Sequence, residues 1–459
     1  MELRSLTIEN FKCFKSKVKI DLAKLTLLTG PNSSGKSSII YSLLGSIQSG
    51  EFPFQFSPNG KYVNMGDFKE IVYNHRSKDK IKISYSFKGS KVNKIDTIWV
   101  EDINNNLPKL YSLKVNAVDF KLFIKQQGDK FAVDFDYDPD KDPVNKIISR
   151  DFYKKFSDFL VESINVTVKE STRKKRKHNN EEDPSVFFEE IHSKLEIKGL
   201  IVDKLPFIKP ILKEKGTFKL KQIIESVLNA FTEYDNSINF ISSFRLHPDR
   251  TYLEQTKSKL KVNNYGDGYL DQIIYWETKD KNKFDELIRV VKALNLLESI
   301  KSKRLEGGRY EISVQVKRGG VHASLSDVGF GISQFLPVLV ADLQLSKNST
   351  LFVAQPEIHL HPSIQSSFGD YLINNIKGES KRYVIETHSE YLLNKIRLAI
   401  VKGEITEKDV NVLFIDDNTM EHTINKLVFT KNGEILNAPS NFFTTYMIDV
   451  MQIAIHAAE

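Results

Sequence analysis

The residues best placed to do chemistry lie between Lys24 and Ile40, which read KLTLLTGPNSSGKSSII. An apolar, threonine-bearing run ends at Gly30. The pattern G-x-x-x-x-G-K-S is then filled by Gly30, Gly35, Lys36 and Ser37, and a second apolar run follows. A strand before such a loop and a helix after it is the setting in which backbone N–H groups wrap a chain of phosphates. The glycines let those amides close in without side-chain interference. Asn32, Ser33, Ser34 and Ser38 complete the candidate binding loop, Lys36 would reach the β- and γ-phosphates, and the Ser37 hydroxyl would ligate Mg²⁺. The helix starting near Gly35 adds the positive end of its dipole. The chemistry expected is the binding of a nucleoside triphosphate with Mg²⁺.

A second loop of this kind is SLSDVGFGISQFLPVLVADLQL, Ser324 to Leu345, where Ser-Asp-x-Gly-x-Gly leads directly into an apolar helix. Amides at that helix start, around Ser326, Gly329 and Gly331, can also bind a phosphate; a simple capping turn is the alternative. A third set of polar residues, Glu357, His359, His361, Glu386, His388 and Glu390, has the types a metal hydrolase uses, and His-x-His puts two imidazoles on one side of an extended segment. No separate acidic cluster completes such a site. The lone Cys13 excludes an intrachain disulfide and reads as a structural residue.

The elements that must position these residues alternate in type. Val18, Ile20 and Leu22 alternate with Lys19 and Asp21 as in a half-buried strand, and KIKISYSFKG with KIDTIWV reads as an antiparallel hairpin. SSIIYSLLGSI reads as a helix, Asp285 to Ile300 as an amphipathic helix, and RYEISVQVKRGGVHASL as a hairpin turning at Arg318-Gly319-Gly320. TLFVAQPEIHLHP and RYVIETHSEYLLNKIR each begin as a strand, and VNVLFIDDNTMEHTINKLVFTKNGEI as two strands with a later Asn432-Gly433 turn. Asp416 and Asp417 fall in the hairpin turn between those two strands. From about Asn104 to Asp235 helical-looking stretches, Phe152 to Ile164 and Phe218 to Phe231, alternate with charged loops and show no sustained heptad. The basic run RKKRKHNNEEDP, Arg173 to Pro184, reads as a solvated loop, with a nucleic-acid contact as the sharper alternative.

Composition agrees with an ordinary globular chain: 459 residues, 40% hydrophobic, 27% charged, net charge +7. The mild positive charge is compatible with DNA without requiring it. No apolar run approaches a membrane span, and MELRSLTIENFK lacks the apolar core of a signal peptide. A cytoplasmic, membrane-free protein is expected.

Five segments in order, LTIENFKCF, TGPNSSGKSS, SDVGFGISQFLPVL, QPEIHLHP and IETHSEYLLNKIR, resemble the OLD-like and RecF/SMC-like AAA ATPases of bacterial anti-phage defence, which carry an ABC-type head. The resemblance implies an α/β fold: a mixed, mainly parallel core sheet, an antiparallel β lobe and an inserted, mainly helical middle domain. The division expected is 1–104, 105–235 and 236–459. It implies ATP as ligand, held by Lys36 and Ser37 of one chain and capped by Ser326, Gly329 and Gly331 of another, in a homodimer or higher homo-oligomer. His388 would be the switch histidine that senses the γ-phosphate or positions water. In the Walker B position the family usually has a carboxylate where this chain has Ala354, and Glu or Gln where it has Gln355. Alanine cannot hold a hydrated metal, and an amide is a poor proton acceptor; Glu357 could partly substitute. Either a Glu-to-Ala replacement traps bound ATP, or the natural chain binds ATP as a switch and turns it over slowly. Roughly seventy residues after His388 leave little for a nuclease domain, so a separate effector protein, such as a nuclease or toxin, is the expected partner. A RecF/SMC-like DNA-repair ATPase and an ATP-binding scaffold are the alternatives.

Overall fold

The computed structural model describes residues 2–128, 130–142, 191–198, 217–253, 261–378, 381–417, 421–439, 442 and 455. The first half supplies β1 (Glu2–Glu9), β2 (Val18–Asp21), β3 (Leu25–Thr29), α1 (Lys36–Ile47), α2 (Phe68–Ile71), β4 (Ile81–Lys88), β5 (Val92–Glu101), β6 (Pro108–Ala117), β7 (Phe120–Gln127), β8 (Lys130–Tyr137), β9 (Ile191–Lys198) and α3 (Thr217–Asn236). The second half supplies β10 (Ile238–Ile241), β11 (Tyr252–Leu253), α4 (Tyr269–Lys279), α5 (Lys281–Ala293), β12 (Ser299–Arg304), β13 (Arg309–Gln315), β14 (His322–Ser324), α6 (Phe330–Gln344), β15 (Thr350–Ala354), α7 (Pro362–Gly378), β16 (Arg382–Glu386), α8 (Glu390–Val401), β17 (Val410–Asp416), β18 (Thr423–Phe429) and β19 (Ile435–Leu436).

Three sheets organise these elements, the smallest being β11-β13-β12 with β14 paired to β13. In the core sheet the order is β10-β15-β16-β3-β17-β18-β19. The first five strands are parallel, and β18 and β19 return antiparallel. The LTLLT strand β3 is buried at every position, as a parallel strand covered on both faces must be. Its side chains divide between two apolar clusters. Leu25 and Leu27 pack with residues of α6, α7 and α8, and Leu28 packs with α1, α3 and the second sheet. That second sheet is antiparallel throughout, in the order β2-β1-β4-β5-β6-β7-β8-β9. Its alternation is plain in β4, where Ile81, Ile83, Tyr85 and Phe87 are buried and Lys82 and Lys88 exposed. Phe52, Phe56, Tyr85, Trp99 and Phe231 form an aromatic cluster on the buried face, with the Phe52 and Phe231 centroids 4.6 Å apart. Such edge contacts add about 0.5–1.5 kcal/mol each beyond area burial and clamp α3 onto the sheet.

The expected hairpins form as read: β4 with β5, β13 with β14 around Gly319, β17 with β18, and β18 with β19 beyond Gly433. The middle section differs. Among its described residues it consists of β6, β7, β8, β9 and α3, so strands outnumber the helix. β5 and β6 pair across residue 104, Trp99 opposite Leu110, and carry the antiparallel sheet straight through that point. Period-two stretches such as FKLFIKQQ are short and lysine-rich, which hid their buried face. Phe218 to Phe231 lies in α3; Phe152 to Ile164 and Arg173 to Pro184 lie outside the described residues. The amphipathic helix expected at Asp285 to Ile300 starts earlier, capped by Asp280, and ends at Ala293. Ile300 belongs instead to β12, opposite Val314. No described helix is long and apolar enough to cross a membrane.

Candidate nucleotide site

The site collects at the C-terminal ends of the parallel strands, the edge where open α/β sheets bind ligands. β3 delivers the chain to Gly30, and α1 begins at Lys36. Gly30 has φ 136° and Gly35 φ 99°. A Cβ on Gly30 would overlap the Ile415 carbonyl, and one on Gly35 would overlap Cys13 Sγ. Only glycine fits either position, so the cradle is enforced by Ile415 near the end of β17 and by Cys13 in the β1–β2 connection. Lys36 is buried and donates to the carbonyls of Gly30, at 3.2 Å, and Pro31, at 2.6 Å. Burial lowers its pKa, opposed by the carboxylates of Glu386, Asp417 and Glu357. From the other side His422 Nδ1–H donates to the Ser34 carbonyl at 2.7 Å, and Glu421 accepts from Lys15 and Ser16. Cys13 lies beneath the loop, and burial pushes its thiol up to about 11. It is an inert packing residue, as read from the sequence.

Ser37 Oγ donates to Glu386 Oε2 at 2.7 Å. Glu386 closes β16, the strand between β3 and β15, and is 5% exposed. Burial raises its pKa, while Ser37 and Lys36 hold it down. On the neighbouring strand Ala354 is its register partner. Just beyond, Gln355 turns into the left-handed region with φ 46° and donates its N–H to the Glu386 carbonyl at 2.7 Å. Arg245, which follows β10, stabilises that turn by donating from Nη2 to the carbonyls of Ala354, at 2.8 Å, and Gln355, at 3.3 Å. Arg245 is 4% exposed, and its buried Nε and Nη1 have no protein partner. Burial lowers its pKa to about 10, opposed by Glu357. Glu357 Oε1 accepts from the His388 backbone N–H at 2.6 Å, while Oε2 is buried without a partner. Burial raises the Glu357 pKa. Burial and the Lys36 ammonium together lower that of the His388 imidazole.

Gly30, Asn32, Ser33, Ser34, Gly35, Lys36, Ser37 and Ser38 therefore form one loop, and Gln355, Glu357 and His388 stand on the strand ends beside it. Ser326, Gly329 and Gly331 have other neighbours. Ser326 Oγ is 3.0 Å from Ser324 Oγ, Asp327 is paired with Arg250 at 2.7 Å, and Gly331 packs so tightly on the His359 carbonyl that a Cβ would overlap it. Gly329 precedes the first turn of α6, where Phe330 is 52% exposed between the rings of His247 and His359. Gln334 of α6 donates to the carbonyls of Arg245 and Leu246. This links the second loop to the β15 turn through Arg245.

The metal-hydrolase arrangement does not assemble. His359 meets the Phe330 ring at a tilt of 57°, and His361 Nδ1 lies 2.8 Å from Ser363 Oγ at the start of α7. Among the described residues no group of three or more His, Cys, Asp or Glu could hold a metal ion by itself. Sequence reasoning missed Arg245, Glu386 and His422 as parts of the phosphate-loop site. Arg245 and Glu386 carry one available signal, since Glu386 ends an apolar strand run and Arg245 follows one by four residues.

The AAA ATPase domain model matches residues 1–393. Among solved structures, the chain is similar to the SMC head domain from Thermotoga maritima, at 12% identity over 93% of this chain and 99% of that one, with a TM-score of 0.34. It is also similar to the Smc head domain with an extended coiled coil bound to the C-terminal domain of ScpA, from Pyrococcus furiosus. That match has 10% identity over 100% of both chains and a TM-score of 0.41. No curated protein matches.

Proposed function

The chain belongs to the AAA ATPase domain family, and from that premise we propose that it is an ABC-type ATPase in which two copies close around ATP and thereby control a separate effector protein. The observation that carries this is the convergence of Lys36, Ser37, Glu386, Glu357 and His388 at one sheet edge, while a second phosphate-competent loop at Ser326–Gly331 stands apart from it. A second copy would bring its Ser326, Gly329 and Gly331 to the open side.

The residues present fit a Mg²⁺–nucleotide: the glycine cradle excludes side chains, the lysine is buried, and a hydroxyl and carboxylate converge beside it. Mg²⁺, bound with the nucleotide, supplies charge neutralisation on the phosphates. Lys36 would exchange its loop carbonyls for phosphate oxygens, and Ser37 would hold the metal through its hydroxyl. Gln355 orients water but cannot take its proton. Glu357, with a raised pKa and a free buried Oε2, is the proton acceptor. His388, kept neutral by burial and Lys36, contacts the γ-phosphate side. Turnover is slow because the acceptor lies past the turn at Pro356. The effector role in anti-phage defence rests on the family resemblance of the five motifs.

Steady-state phosphate release tests the reading, with Lys36→Ala as the control. Slow turnover lost in Lys36→Ala and reduced about 10²-fold or more in Glu357→Gln, the scale of general-base removal, supports it. Equal rates in all three proteins contradict it.

A further inference from the structure

We propose that Glu386, at the end of β16, supplies the carboxylate of the Mg²⁺ site that the end of β15 lacks. The inference rests on the nucleotide-site reading above and adds the residue that orders the metal.

Ala354 ends β15 with a methyl group, buried in the same apolar cluster as Leu28, Phe352 and Val384. It offers no ligand and no hydrogen bond to a metal-bound water. One strand nearer the phosphate loop, Glu386 is fixed on both sides. Its carbonyl accepts from the Gln355 N–H at 2.7 Å, and the adjoining Thr387 N–H donates to the Leu28 carbonyl at 2.9 Å. The side chain reaches the first turn of α1 and accepts from the hydroxyl of Ser37. Hydroxyl and carboxylate oxygens are the donor types that a hard cation such as Mg²⁺ selects. Strand order brings this about: β16 lies between β3 and β15, directly beside the strand that leads into the phosphate loop and α1. Asp417 and Glu357 also influence Lys36, but no bond ties either to Ser37. Glu386 is therefore a metal-positioning residue, holding the Ser37 hydroxyl and the metal's water shell.

The test uses the full chain with ATP, titrated with Mn²⁺ and followed by electron paramagnetic resonance. Nucleotide affinity is measured in parallel in EDTA. Glu386→Gln keeps the size and a hydrogen bond to Ser37, and should weaken Mn²⁺ binding 10–100-fold, the usual loss for an outer-shell carboxylate. Its ATP affinity in EDTA should stay within about threefold of the parent, which also shows the loop is folded. Ala354→Glu should change Mn²⁺ affinity by less than about threefold, because the position is already served. Unaltered Mn²⁺ binding in Glu386→Gln overturns the proposal, as does a tenfold gain in Ala354→Glu. An equal loss of ATP affinity in EDTA also overturns it, by showing a purely structural role. A parent chain that binds no ATP with or without metal would instead overturn the nucleotide-site reading itself.

Discussion

At the residue scale the site is defined by close approaches that tolerate one side chain. Gly35 must hold φ 99° with Cys13 Sγ in the space of its missing Cβ. Gly35→Ala is expected to cost about 1–3 kcal/mol in backbone strain and to weaken ATP binding at least tenfold, read by thermal unfolding and nucleotide titration. Cys13 itself, with its thiol near 11, has a thiolate fraction of only about 10⁻³ at pH 8. Iodoacetamide should therefore label it about a hundredfold more slowly in the native chain than in urea. Arg245 is the third such residue. Arg245→Met keeps most of the volume but removes the donor to Ala354 and Gln355, leaving the left-handed turn unsupported beside buried Glu357. The expected loss is about 2–3 kcal/mol, the scale of charged hydrogen bonds. It should appear as a lower urea midpoint at unchanged m.

At the element scale, local patterns were legible in the sequence and strand order was not. The run into Gly30, the helix after Gly329, and the strands ending at Ala354 and Glu386 all stand where their apolar periods place them. The Ser37–Glu386 bond joins residues 349 positions apart, and the Arg245–Ala354 bond residues 109 apart. The first depends on β16 lying between β3 and β15 and the second on β10 lying beside β15, and no local pattern encodes either. The lysine-rich strands β6 to β8 were obscured for a different reason: their exposed faces are strongly charged, so helical and strand periods were hard to separate. The α6 element carries its own prediction. Gly331 lets the first turn of α6 lie against the His359 carbonyl, and Gln334 fastens the next turn to Arg245 and Leu246. Gly331→Ala should push that turn outward and weaken ATP-dependent association, while ATP binding by single chains changes less than about threefold. Sedimentation and nucleotide titration separate the two effects, since about 1.4 kcal/mol corresponds to each tenfold change.

At the scale of the whole molecule, the proposed function gives one chain two phosphate-binding loops, each held by different neighbours. The phosphate loop sits on the β3 end, while Ser326 and Gly331 are held by Ser324 and by the segment after β15. Gln334 and Arg245 connect the second loop to the β15 turn, and Glu357 carries that connection to His388. On the proposed function, a partner's nucleotide seated on Ser326–Gly331 would bias the geometry of Glu357 and His388 through these bonds. Coupling of this kind requires association driven by ATP. The most direct test is the mass of the 52.7 kDa chain by light scattering, with and without ATP and Mg²⁺, beside Lys36→Ala. The account predicts a single-chain mass without nucleotide, at least a doubling in ATP, and no change for Lys36→Ala. A parent chain that stays at its single-chain mass in saturating ATP would contradict it.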